Sequence, residues 1–86
     1  MKRVALISII VSDMSQTQKL NEYLHEASDY IIGRMGIPYR ERKINIISVA
    51  VDAPQDLISA LSGKIGKLEG VATRTTYSDV ITEIEE

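Results

Sequence analysis

Few side chains in this sequence could do chemistry. It has no cysteine and a single histidine, His25. Thiol catalysis, disulfides and thiolate metal sites are therefore excluded. A closed transition-metal site needs several N or S donors, so no metal is expected within one chain. His25 lies between Leu24 and Glu26, off the apolar stripe of its segment, and reads as a solvated histidine. Only a symmetric oligomer could gather several copies of it. No Ser/His/Asp set and no glycine-rich strand-to-helix turn occurs. The chain is thus expected to be no enzyme and to need no cofactor.

Two stretches invite a binding role. Ser62-Gly63-Lys64-Ile65-Gly66-Lys67 looks superficially like a phosphate loop. It lacks the G-x-x-x-x-G-K-S/T spacing, however, and falls inside a predicted helix, away from its N-terminus. Its glycines are better explained as letting the helix end approach the sheet or a neighbouring subunit, at roughly 1 kcal/mol each in helix propensity. Arg34, Arg40, Arg42 and Lys43 concentrate positive charge around one predicted hairpin. Such a cluster could bind an anion or an acidic surface; a solvated hairpin with Glu41 as internal partner is the simpler reading.

Composition narrows the classes further. The chain has 86 residues, which suits one domain over 1–86. A domain of that size buries only about 60–65% of its unfolded surface, so its stability margin is thin. Hydrophobic residues make up 44% and charged residues 26%, a globular composition that argues against disorder. Without Trp or Phe, the core must be built from Ile, Leu and Val with help from four Tyr. The net charge of −2 gives no general attraction to nucleic acid, so no direct contact with DNA is expected. Met1-Lys2-Arg3 before Val4 to Val11 has the look of a signal peptide. The apolar run is short, though, contains Ser8 and meets Asp13 without a small-residue cleavage site, which favours a buried strand and a cytoplasmic protein. It is also far short of the roughly 20 apolar residues of a membrane span.

The elements that must position these groups follow from periodicity. Arg3 to Val11 is a short Val- and Ile-rich run, apolar at both parities, and predicts a first strand. Asp13 or Ser15 can cap a helix, with Ser15 to Gln18 at capping-box spacing. Leu20, Tyr23, Leu24, Ala27 and Ile31 then make one stripe, predicting a helix over about 15–29. Gly33, Gly36 and Pro38 permit a short edge strand and a loop. Ile44 to Val51 predicts a β-branched strand in hairpin with its predecessor. Asp52-Ala53-Pro54-Gln55 reads as cap, first turn and capping-box glutamine of a second helix, whose inner face is Ile58, Leu61, Ile65 and Leu68 and which Gly70 ends. Val71 to Tyr77 alternates as a half-buried last strand, and the acidic tail Glu83, Glu85, Glu86 is expected to fray. The order β-α-β-β-α-β predicts an α+β, ferredoxin-like sandwich with an antiparallel sheet and two helices on one face.

In such a sandwich the sheet face away from the helices should be polar unless something covers it. Here it is not. One parity of the first strand reads Val4, Leu6, Ser8, Ile10 and one parity of the third reads Ile44, Ile46, Ser48, Ala50, while the opposite parities are also apolar. Leaving Val4, Leu6, Ile10, Ile44 and Ile46 in water would forgo about 1.5–3 kcal/mol each, a sum comparable with the stability of a small domain. A second copy is the simplest cover. Val4, Leu6, Ile10, Ile44, Ile46 and Ser48 are therefore the expected interface of a homo-oligomer, dimer or tetramer.

Three stretches carry a family likeness: Arg34-Met35-Gly36-Ile37-Pro38-Tyr39-Arg40-Glu41, Ile44 to Val51, and Ala60-Leu61-Ser62-Gly63-Lys64-Ile65-Gly66-Lys67-Leu68-Glu69-Gly70-Val71. Together they resemble the family called "putative iron-only hydrogenase system regulators", over nearly the whole chain. The resemblance implies a stand-alone domain of ACT-like fold, similar to the C-terminal domain of nickel-responsive repressors, with a regulatory or sensing role. The chain departs from those repressors in lacking their Cys, in having His25 as its one His, and in lacking a ribbon-helix-helix arm for DNA. ACT-type relatives bind small effectors at subunit interfaces near the turn after the first strand, which here is Ser12-Asp13. The candidate ligand residues are thus Ser12, Asp13, Arg34, Arg40 and Arg42, with a small-molecule effector or a hydrogenase-system protein as partner. Two other functions share the fold. A cofactor-free dimeric α+β barrel enzyme would have only Tyr23, Tyr30 and Tyr77 as candidate groups, each better explained as core or rim; a transcriptional regulator would need a partner to supply the basic surface.

Overall fold

The computed structural model describes residues 1–82. The acidic tail Glu83, Glu85 and Glu86 lies outside them. Lys2–Val11 form β1, with burial alternating from Ala5 onward. A 3-10 turn, Met14–Gln16, leads into α1, Thr17–Glu26, and a second 3-10 turn, Ser28–Tyr30, leads into β2, Ile31–Tyr39. After the turn Arg40–Arg42 come β3, Ile44–Ala53, then α2, Gln55–Gly66, and β4, Val71–Thr82. The sheet order is β2-β3-β1-β4, and each neighbouring pair is antiparallel. This is the ferredoxin-like, ACT-like α+β sandwich.

The pleat sorts β1 and β3 as a period of two requires. Ala5, Ile7, Ile9 and Val11, with Ile47, Val49, Val51 and Ala53, are buried in one cluster with Leu20 and Leu24 of α1 and Ile58, Leu61 and Ile65 of α2. Both helices therefore cover the same face. On β4, Val71, Thr73, Thr75 and Tyr77 turn toward that face while Ala72, Arg74 and Thr76 are exposed.

Several boundaries differ from the sequence reading. The helix expected over 15–29 is split. Asp13 Oδ1 accepts from Ser15 N–H at 3.0 Å and caps the 3-10 turn, so the regular helix starts only at Thr17. Ile31 begins β2 and takes no part in a helical stripe. Asp52 is not a cap, because Pro54 drives the residue before it into extended backbone. β3 consequently runs on through Ala53, and Pro54 itself stands at the N-cap with its carbonyl accepting from the N–H groups of Leu57 and Ile58. α2 ends at Gly66, four residues before Gly70, which instead makes the left-handed turn into β4 at φ +72°. The second strand is longer than expected, nine residues, since an edge position tolerates glycine and Pro38. Of the two helical glycines, Gly66 does sit against the sheet, where a Cβ would meet Thr73 Cγ2 at 3.3 Å. Gly63 faces open space.

Candidate functional site

Two features stand apart from the core. The first is the sheet face that no helix covers. Ladder register sets its side chains in rows: Ile37 opposite Ile46, Ile46 opposite Ile10, and Ile10 opposite Ala72; then Met35, Ser48, Ser8 and Arg74; then Gly33, Ala50, Leu6 and Thr76. Tyr39 and Ile44 pair at the hairpin end, and Val4 and Asp52 pair at the other. All six expected interface residues lie on this face. Leu6 is 42%, Ile10 44%, Ile46 38% and Ile37 51% exposed, whereas Val4, Ile44 and Ser48 are half-buried. The face thus presents apolar rows on either side of a band of Ser48, Ser8 and Arg74, and β2 adds Met35, Ile37 and Tyr39 to it.

The second feature lies on the helix side, where α1 stops short of the edge strand. A cavity of about 190 Å³ opens between them, with Val11, Leu20 and Ile47 as apolar lining and Thr17, Asn21, Arg34 and Asn45 as polar lining. Gly36 also lines it, and a Cβ there would meet nothing within 4 Å, so the missing side chain leaves the room. Arg34 Nη2 donates to Asn21 Oδ1 at 2.7 Å, which holds the guanidinium over the cavity and leaves most of its donor fork for other acceptors. At the rim, Met14 Sδ accepts from Asn45 Nδ2 at 3.6 Å.

The five candidate ligand residues do not converge. Arg34 lines the cavity. Arg40 and Arg42 lie in the exposed turn beyond the end of β2. Ser12 is tied to the turn before β4, its N–H and Oγ both donating to the Gly70 carbonyl at 2.7 and 2.9 Å. Asp13 is occupied with Ser15, accepting from its hydroxyl at 2.6 Å and from its N–H. Those two hydrogen bonds, the hydroxyl's first, hold the Asp13 carboxyl below its ordinary pKa. Asn21, Thr17 and Asn45 were missed, since a lone amide or hydroxyl carries no signal until sheet register brings it beside Arg34.

His25 is exposed on α1. Among the described residues no group of three or more His, Cys, Asp or Glu is placed to hold a metal ion, and no helix is long and apolar enough to cross a membrane.

Comparison with known proteins adds a family. The profile of the TM1266-like family, described as "Iron-only hydrogenase system regulator, putative", matches residues 3–75. Among solved structures, the uncharacterized protein TM1266 from Thermotoga maritima is 36% identical, with a TM-score of 0.86 over 90% of this chain and 98% of that one. A formyltetrahydrofolate deformylase from Pseudomonas putida KT2440 is 18% identical, with a TM-score of 0.63 over 85% of this chain and 28% of that one. The second likeness is one of fold, and this chain spans under a third of that enzyme's length. No curated protein matches the chain.

Proposed function

As the chain belongs to the TM1266-like family of iron-only hydrogenase system regulators, we propose that it is a cytoplasmic regulatory module that works as a homo-oligomer, by binding and not by catalysis. The observation that carries this reading is the uncovered sheet face. Ile10, Ile37 and Ile46 stand there in one row, with Leu6 two rows away beyond Ser8 and Ser48, and each would gain on the order of 1 kcal/mol or more from cover. A monomer of this size has little stability to spare.

The cavity beside Arg34 supports the sensing half of the proposal. A guanidinium, two amides and a hydroxyl line it. These groups donate and accept hydrogen bonds, and the guanidinium adds a positive charge, which suits recognition of a small anionic effector. A hydrogenase-system protein is the alternative partner, with no direct contact to nucleic acid. Light scattering on the purified chain tests the oligomeric reading. A mass of two or four chains at micromolar concentration is expected; a monomer of 9.6 kDa overturns it.

A further inference from the structure

The uncovered face is apolar but not uncharged. Arg74, opposite Ser8, projects from it at the β4 edge, and its side chain makes no hydrogen bond, ion pair or ring contact among the described residues. It rims a shallow depression of about 320 Å³ with Ser8, Ile10 and Ala72. Asp52, opposite Val4, lies on the same face in β3. Its Oδ1 is shielded from solvent by this chain's own atoms, so the carboxylate can meet a partner only through Oδ2. Lys2, at the start of β1 and of the same parity, makes no ion pair with it.

Register relates these two charges through a third residue. Leu6 is opposite Thr76 on one side and Ala50 on the other. Arg74 is therefore one diagonal neighbour of Leu6 and Asp52 is the other, each about 7–8 Å away on opposite sides. Leu6 lies midway between them.

Any apolar cover on this face would desolvate both charges, a heavy penalty for each unless it meets an opposite charge. The cover must then present an acid over Arg74 and a base over Asp52. A second copy of this chain presents both at once, because a two-fold axis makes every contact reciprocal. We infer that two copies stack open face to open face about a two-fold axis passing over Leu6, with Arg74 of each copy paired to Asp52 of the partner subunit. This rests on the self-association proposed above and fixes its register. The size is adequate: four strands about 4.8 Å apart and ten residues long span roughly 650 Å² in projection, near the roughly 800 Å² per partner of a standard interface.

Charge reversal tests the pairing by dilution series in analytical ultracentrifugation. Arg74→Glu and Asp52→Arg should each weaken self-association at least tenfold. The two single variants mixed together should recover near-normal affinity as a heterodimer, since both cross-pairs are then attractive, and so should the double variant alone. Circular dichroism melts check that each variant folds. If a reversal variant does not fold, Arg74→Ala and Asp52→Asn replace it, and together they should lose no more affinity than either alone. An unmodified chain that dimerises while the variants dimerise equally well, or while the mixture fails to recover, overturns the register alone. A monomeric unmodified chain overturns both the register and the self-association beneath it.

Discussion

Gly70 backs directly onto Asp13: a Cβ at residue 70 would stand 2.5 Å from Asp13 Cβ and 3.2 Å from its backbone N. The turn needs φ +72° at that point, and the Ser12 hydrogen bonds to the Gly70 carbonyl clamp it against the end of β1. The conformation thus favours glycine twice over, by backbone angle and by space.

Gly70→Ala is accordingly expected to cost about 2 kcal/mol or more, combining the left-handed penalty with the displaced contact. In a domain of this length that lowers Tm by roughly 10 °C. Gly63→Ala should do the opposite. It lies within α2 with nothing near its missing Cβ, so it should stabilise by about 0.5–1 kcal/mol. Thermal or urea unfolding of the two variants checks both signs, and equal effects would refute the account.

Asp13 gives a pH dependence with a definite sign. Its carboxyl is held below its ordinary value by the Ser15 hydroxyl first and the Ser15 N–H second. A depressed folded pKa contributes stability above the unfolded pKa, near 4 for an aspartate, and loses it as pH falls through the folded value. The stability difference between the unmodified chain and Asp13→Ala should therefore be present at pH 6 and shrink below about pH 4. Ser15→Ala should move the Asp13 titration, followed by carboxyl NMR shifts, upward toward the ordinary value. An unmoved titration would remove Ser15 as the cause.

The strands were legible where the sequence imposes a period. Ile7 and Ile9 against Leu6 and Ile10 mark a strand with two apolar faces, and the missing alternation already points to a face without cover. What escaped reading depends on neighbours distant in sequence. Asp52 has the residue type and spacing of a helix cap, yet its place in β3 is set by Pro54 and by pairing with Val4. Gly70 looks like a helix stop, and only its packing on Asp13 shows that it serves the next strand. Asn21 and Asn45 meet Arg34 around one cavity because α1 crosses the sheet there. No local pattern encodes that meeting.

The cavity can be probed through Arg34. Its hydrogen bond to Asn21 is exposed, so Arg34→Ala should alter the stability of the free protein by less than about 1 kcal/mol. Loss of a charge-assisted bond to a bound anion should cost about 1.5–3 kcal/mol, roughly 10–100-fold in affinity. A thermal-shift screen of small carboxylates and phosphate should find compounds that raise the Tm of the unmodified chain and fail on Arg34→Ala. Compounds that stabilise both equally bind elsewhere, and a screen yielding only those would remove the cavity from the proposal.

The open face makes the sharpest contrast between positions of similar exposure. Leu6 and Ile46 are 42% and 38% exposed in one chain, figures at which a lone surface residue would accept a charge with little effect. If a partner subunit covers them, Leu6→Asp or Ile46→Lys buries an unpaired ion at a cost of several kcal/mol. At about 1.4 kcal/mol per tenfold, that is a loss of a hundredfold or more in association, so these variants should run as monomers or aggregates in light scattering. Lys67 caps the far end of α2, exposed and on the opposite side of the sheet. Lys67→Glu makes a larger change in formal charge than either and should leave the oligomer intact, because the side chain stays in water. If Leu6→Asp associates as the unmodified chain does, or if Lys67→Glu dissociates it, the copies meet through another surface.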